Sequence, residues 1–189
     1  MKYNLALFAS GSGSNVENIF NYYKGHKSIS VSAVLTNNKN AYVLNRAKKF
    51  NIESFIFDSY NDESQVLRFL ISKNITHVIL AGYLKLISPK LIEIYKDKIL
   101  NIHPSLLPKF GGKGYYGDYV HESVLNSNEK YSGITIHLVN NQYDKGKILF
   151  QKKIRIYNSD SVESLSNRIH NLEYKFYPLV IEKYILNKL

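Results

Sequence analysis

An α/β fold is predicted by this sequence: a mostly parallel sheet with an antiparallel C-terminal part and a closing helix. Three observations predict it. Apolar runs of strand length alternate with segments of helical spacing through the first half of the chain. After Gly111 two runs alternate with period two. The chain then ends on a long amphipathic stretch rich in apolar residues three and four positions apart.

Taken in order, "YNLALFA" over 3–9, "ISVSAVLT" over 29–36, "ESFIF" over 53–57, "HVILAGY" over 77–83 and "KILNI" over 98–102 read as strands. Helices are expected over 15–23, 41–50, 63–73 and 89–95. Such alternation implies parallel strands joined by right-handed crossovers, with ligands collecting beyond the carboxyl ends of the strands. "SGITIHLV" and "GKILFQKKIRI" suit an antiparallel pair, and 161–186 reads as the closing helix, with Ser159 or Ser161 capping its start. No repeat, low-complexity tract or linker interrupts the chain, so one domain over 1–189 is the expectation.

Composition excludes several classes of protein. The hydrophobic share is 44%, and the longest apolar runs fall far short of the roughly 20 residues that span a bilayer, so a soluble protein with no membrane partner is expected. The start, "MKYNLALFASGSGSN", reads as a retained first strand and not as a signal peptide. With no cysteine there is no disulfide, thiolate ligand or thiol nucleophile, which fits a reducing, cytoplasmic setting. The net charge of +10 comes from lysines scattered from Lys24 to Lys188, with no basic block or RNA motif. It implies solvated faces and an attraction for small anions, with no specific nucleic-acid partner.

The first chemical motif, "SGSGSN" over 10–15, directly follows the first strand. Glycines allow backbone amides to approach closely, and a following helix turns unpaired N–H groups and a positive dipole end toward an anion, so phosphate suits this place. It is not a Walker loop, and it lacks the third glycine of the dinucleotide fingerprint. The plain alternative is a glycine turn with Ser14 or Asn15 as helix cap.

The second motif is "NIHPSLLP" over 101–108. Pro104 confines His103 to extended geometry, and extended alternation sends Asn101 and His103 to the same side of a strand's carboxyl end. A carboxamide donor beside an imidazole can hold a developing oxyanion, and the imidazole can move a proton near neutral pH. A histidine satisfied by local hydrogen bonds is the alternative.

The third is "GITIHLVNNQYDKGKILFQ", which carries His137, Asp144 and Gly146. Alone, 143–146 reads as a hairpin turn with Asp144 serving its own backbone. Together with "FASGSGSN", "LAGYLKLIS", "NIHPSLLP" and "LEYKFYPLVI", in that order along nearly the whole chain, it resembles the folate-dependent glycinamide ribonucleotide formyltransferases. Methionyl-tRNA formyltransferases and formyltetrahydrofolate hydrolases resemble the "NIHPSLLP" region too, but carry further domains that 189 residues cannot hold.

The resemblance implies a single-domain Rossmann-like formyltransferase fold, with a phosphate-binding N-terminal half and a folate-binding, catalytic C-terminal half. It implies transfer of the formyl group of 10-formyltetrahydrofolate, a co-substrate, to the amine of glycinamide ribonucleotide in purine biosynthesis, with no metal. Asn101, His103 and Asp144 are then catalytic. Gly13, Ser14 and Asn15 match the phosphate loop, and His170 and Glu173 match ribonucleotide contacts of the closing helix. Leu84, Lys85, Leu86 and Ile87 match the folate-lining segment, with Asn101 and the main chain of Asn140, Asn141, Gln142, Tyr143 and Asp144 also meeting folate. Leu84, Leu86 and Ile87 as plain core, and Glu173 as a solvated helix residue, are the plain alternatives. His137 is expected in a supporting structural role.

Two features depart from the family pattern. No arginine between Asp58 and Arg68 matches a folate-contacting arginine of some members, and "FGGKGYYGDYVHE" replaces the more familiar Pro-Gly form. Its glycines at 111, 112, 114 and 117 permit either a mobile flap or a fixed irregular turn, and Lys113 is a candidate anion contact. A monomer or homodimer acting on small molecules is expected. A catalytically idle nucleotide- or RNA-binding module on the same fold is the reading from a different class.

Overall fold

A computed structural model describes residues 2–58 and 62–189 and packs them as two compact units, Met1–Leu100 and Asn101–Leu189. The first unit alternates strand and helix: β1 Tyr3–Phe8, α1 Ser14–Tyr23, β2 Ile29–Thr36, α2 Val43–Lys49, β3 Ser54–Ile56, α3 Glu63–Ser72, β4 His77–Leu80 and α4 Pro89–Ile94, with β5, Ile99–His103, beginning at its end. Strand order here is β3-β2-β1-β4-β5. β1 pairs in parallel with both β2 and β4, and β2 in parallel with β3.

Why β1 lies inside the sheet follows from its residues. Leu5, Ala6, Leu7 and Phe8 are all buried, so both faces of the strand need cover, and parallel neighbours joined through helices provide it. α1 contributes Val16, Ile19 and Tyr23 from one face. Each such side chain contributes about 1.5–3 kcal/mol on burial. After β1 the chain runs outward through β2 and β3, then returns to place β4 on the other side of β1. The turn-around leaves the loops after β1 and β4 side by side at the carboxyl ends of their strands, the place where open α/β sheets bind ligands. Ser10 fastens them together: its N–H donates to the Gly82 carbonyl at 2.9 Å, and its hydroxyl accepts from the Leu84 N–H at 3.1 Å.

In the second unit β5 is followed by α5 Asp118–Leu125, β6 Tyr131–Leu138, β7 Ile148–Arg155 and α6 Val162–Ile185, with strand order β5-β6-β7. β6 and β7 are antiparallel, in register from Tyr131 opposite Arg155, with an irregularity between Ile136 and His137. β6 is buried from Ser132 to Leu138, whereas β7 is largely exposed and carries Lys152, Lys153 and Arg155, charges that discourage pairing at a sheet edge. α6 opens on a capping box: the Ser161 hydroxyl accepts from the Ser164 N–H at 3.1 Å, and the Ser164 hydroxyl accepts from the Ser161 N–H at 2.9 Å. Of the two serines expected as the cap, Ser161 is the one used.

Most expected elements appear with trimmed ends, but α5 was not expected. Its eight residues bury Val120, His121 and Val124 on one side. The exposed tyrosines 115, 116 and 119 and the glycines before it hide that short stripe in the sequence. No helix among the described residues is long and apolar enough to cross a membrane.

Close approach of main chains sets one testable constraint. A Cβ at Gly133 in β6 would stand 2.1 Å from the Lys152 carbonyl oxygen of the paired strand, whereas one at Gly25 would meet nothing within 4 Å and face only the cost of its φ of +75°. Gly133→Ala should therefore destabilise the protein by more than about 2 kcal/mol, and Gly25→Ala by about 1 kcal/mol, in denaturant titrations. A second expectation concerns acid. Burial, with Lys98 adding to it, lowers His77 from 6.5 to about 4; burial, with His170 and His103 adding and Asp118 opposing, does the same to His121. Folded-state values below the unfolded one mean that the unfolded chain takes up more protons between pH 6.5 and 4, so stability is full above 6.5 and falls toward 4. Replacing His77 by Gln should flatten part of that decline.

Candidate active site

Chemistry-bearing residues gather at the carboxyl end of β5. Asn101 is half-buried and His103 is buried on this strand, with Pro104 stopping it. The chain after Pro104 is pinned to β6: Thr135 donates its hydroxyl to the Ser105 carbonyl at 2.7 Å and accepts from the Leu107 N–H at 3.0 Å. Gln151 of β7 donates to the Leu107 carbonyl at 2.9 Å. This bracing brings the Phe110 carbonyl back onto His103, whose Nε2 stands 2.7 Å from it. A carbonyl only accepts, so Nε2 carries the proton and Nδ1 faces the carboxylate of Asp144, 3.5 Å from Oδ2.

Asp144 lies between β6 and β7 with φ of 55°, a left-handed turn conformation that aspartate tolerates. Its Oδ2 accepts the Gly112 N–H at 2.9 Å, and its Oδ1 lies 3.5 Å from both Asn101 Nδ2 and His137 Nε2. Asn101 Nδ2 is also 3.1 Å from His137 Nε2, while His137 Nδ1 is 2.8 Å from the Leu138 carbonyl. His137 therefore donates through Nδ1 and accepts through Nε2 from Asn101. Burial works to raise Asp144, but its contacts with His137 and His103 and the Gly112 N–H outweigh it and hold the carboxyl below its usual range. Burial lowers His103 from its ordinary value, Asp144 and the Phe110 carbonyl oppose that, and His137 adds to it. The cluster is thus a carboxylate, an imidazole with adjustable proton affinity and an oriented carboxamide.

Asn101, His103 and Asp144 are brought together as one cluster, and His137 joins them directly through Asn101. Main-chain partners at Phe110 and Gly112 were missed from sequence; the glycine run "FGG" was the available signal. On α6, Glu173 is 5% exposed, which removes the reading as a solvated residue, and His170, one turn before it, stacks on Tyr174 at 6.1 Å. Asn140 and Asn141 are exposed, as is Gln142, whose N–H is held by the Asn140 side chain at 3.0 Å; Tyr143 is half-buried.

The first unit holds the other predicted residues. Gly13, with φ of 74°, is the N-cap of α1 and makes no side-chain cap, so neither Ser14 nor Asn15, which begin the helix, serves as the cap. Leu84 and Leu86 are 46% and 45% exposed and Lys85 is exposed, so only Ile87 of this segment is core. A cleft lined by Phe8, Phe57, Tyr83, Leu86, Ile87 and Leu91 lies beside them. Of the stretch searched for a folate-contacting arginine, 59–61 lies outside the described residues. No group of three or more His, Asp or Glu placed to hold a metal ion occurs among the described residues.

Comparison with known proteins places this geometry. A family model described as Formyl transferase matches residues 3–181. The phosphoribosylglycinamide formyltransferase of Bacillus subtilis (strain 168) is 40% identical over 185 residues, covering 94% of this chain and 92% of its own length. The chloroplastic phosphoribosylglycinamide formyltransferase of Arabidopsis thaliana is also 40% identical, over 94% of this chain, and the chain spans 63% of that protein's length. A crystal structure of phosphoribosylglycinamide formyltransferase from Bacillus halodurans superposes with a TM-score of 0.87 at 35% identity, covering 95% of this chain and 94% of that one. Similarity of that extent, in sequence and in fold, means that the chain belongs to the formyl transferase family.

Proposed function

We propose that this protein transfers the formyl group of 10-formyltetrahydrofolate to the amine of 5'-phosphoribosylglycinamide, giving formylglycinamide ribonucleotide and tetrahydrofolate, a step of de novo purine (IMP) synthesis. The observation that carries the reading is the convergence of Asn101, His103 and Asp144 at the end of β5 in a chain of this family. The relatives' names give the same acceptor, phosphoribosylglycinamide, and the same formyl transfer. We assign the phosphate to Gly13, Ser14 and Asn15, the ribonucleotide's further contacts to His170 and Glu173, and folate to 84–87, Asn101 and 140–144. On this reading the two units are halves of one functional domain, working in the cytoplasm as a monomer or homodimer, with no metal, membrane or specific nucleic acid involved.

The amine attacks the formyl carbon, its C–N bond forms, and the carbonyl electron pair moves to oxygen. Asn101 Nδ2 has two protons. One is taken by His137 and the other faces Asp144 at the long distance of 3.5 Å, which leaves the second as the donor for an oxyanion. His103 supplies positive charge beside the oxygen once Nδ1 is also protonated, its Nε2 proton being held by the Phe110 carbonyl. Burial disfavours its charged form, and Asp144 is the group that restores proton affinity. When the tetrahedral centre collapses, the bond to the folate nitrogen breaks and that nitrogen takes up the proton lost by the attacking amine, with Asp144 assisting the relay.

A formyl-transfer assay with purified protein and both substrates tests the reading; no product at any substrate concentration rejects it. His103→Ala and Asp144→Asn should each lower kcat by roughly 10²–10⁴-fold with the fold intact. The double variant should lose less than the product of the two effects, because groups acting as a unit are non-additive. In Asp144→Asn the His103 titration midpoint, followed by NMR, should move down, since a cause that raises it is gone. For the phosphate loop, a Cβ at Gly13 would lie 2.4 Å from Val43, on a backbone with φ of +74°. Gly13→Val should therefore weaken ribonucleotide binding far more than folate binding in calorimetry, and equal loss for both would instead indicate a global fault.

A further inference from the structure

We propose that Arg46 of α2 is a positioning residue for the phosphate of the ribonucleotide: it holds the loop after β1 by its main chain, so that the loop's N–H groups face the ligand. The inference rests on the reading of Gly13, Ser14 and Asn15 as the phosphate loop. Arg46 Nε donates to the Ser12 carbonyl at 2.9 Å, and its Nη1 pairs with Glu17, in the first turn of the helix that the loop opens. Lys49, one turn further along α2, reaches the same carboxylate at 3.2 Å. One residue earlier in the loop, the Gly11 carbonyl accepts the Val43 N–H at 3.2 Å, and Gly13 rests against Val43.

Peptide geometry turns these contacts into a statement about the anion site. In a trans peptide the C=O of one residue and the N–H of the next point in opposite directions. With the Gly11 and Ser12 carbonyls drawn toward α2, the N–H groups of Ser12 and Gly13 point away from it. The Gly13 carbonyl accepts the Glu17 N–H at 3.0 Å, which sends the Ser14 N–H out beyond the start of α1. Three successive amides so directed form a nest for an anion. Glu17 offsets part of the positive charge of Arg46 and Lys49, and the guanidinium acts through its planar fork, with one N–H on the carbonyl and another on the carboxylate. The Tyr42 ring, 5.2 Å from the guanidinium carbon, restricts it further.

Steady-state kinetics on the whole chain test this. Arg46→Ala should raise KM for the ribonucleotide by about tenfold, the size of one lost charge-assisted hydrogen bond, with kcat and the folate KM near wild type. Arg46→Lys keeps the charge and loses the fork, so it should recover only part of that change. Ribose 5-phosphate serves as the calorimetric probe and should follow the same order. If Arg46→Ala does not fold, Glu17→Gln, which weakens the fork's second partner, should still raise the same KM. A wild-type ribonucleotide KM in Arg46→Ala beside a raised one in Gly13→Val overturns the role of Arg46 and leaves the loop reading standing. An unchanged KM in Gly13→Val removes the loop reading and this inference together. Full recovery in Arg46→Lys, or an equal loss of folate affinity, also overturns the proposal.

Discussion

The second unit is organised around the carboxylate of Asp144, whose side chain is 10% exposed. A desolvated carboxylate costs several kcal/mol unless donors surround it, so the position of Asp144 dictates much of what lies near it. Its neighbours come from separate segments: Asn101 of β5 and the Gly112 N–H of the strap after β5 donate to it, and the imidazoles of His103 from β5 and His137 from β6 stand beside it. Two glycines make the approach possible. A Cβ at Gly146 would stand 1.6 Å from the Leu138 carbonyl oxygen, and one at Gly111 would meet Leu107 at 2.3 Å and Asp144 Cβ at 3.3 Å. The turn carrying Asp144 and the strap covering it can close to this degree because neither bears a side chain at those points. The same requirement accounts for the aspartate's left-handed backbone, which carries its carboxylate among the donors.

The first unit presents main chain in place of side-chain charge at the loop assigned to phosphate. That loop follows β1 at the point where strand order reverses, and main-chain groups take several of the contacts that shape it: Ser10 with Gly82 and Leu84, Val43 with Gly11, Arg46 with Ser12. Preorganised amides need little rearrangement when a phosphate arrives, which is where their advantage over flexible lysines lies. The +10 charge can then draw anions toward the protein without a lysine having to stand in the loop itself.

How far these arrangements were legible in sequence depended on the range of the interaction. Local periodicity gave the parallel half, the antiparallel pair and α6, and the proline after His103 announced the strand end. Gly13 as the cap in place of Ser14 or Asn15 was not legible, because a left-handed glycine can end a loop without any side-chain signature. α5 escaped because its buried stripe of Val120, His121 and Val124 is one turn long and lies among exposed tyrosines. The exposure of Leu84 and Leu86 and the burial of Glu173 run against what their residue types suggest, and only tertiary packing decides them. Arg46 sits more than thirty positions from Ser12, and no local pattern links a helical arginine to a carbonyl that far away in sequence.

His103 shows why a buried site needs its opposing influences. An imidazole in the open has its proton equilibrium near neutrality but no fixed orientation, whereas one buried alone is oriented and nearly always neutral. Burial here provides orientation and pulls proton affinity down; Asp144 and the Phe110 carbonyl push it back up, and the latter also decides which nitrogen faces the carboxylate. His137 adds a restraint from the other side, since a second imidazole disfavours a second positive charge while its own hydrogen bonds keep Asn101 turned toward the site. The carboxylate thus supports the imidazole's charge while the imidazoles stabilise the carboxylate's, so neither Asp144 nor His103 can be assigned a proton affinity independently of the other. An imidazole so placed keeps some of the proton affinity that burial alone would remove, because the contacts with Asp144 and the Phe110 carbonyl that oppose burial also fix its position.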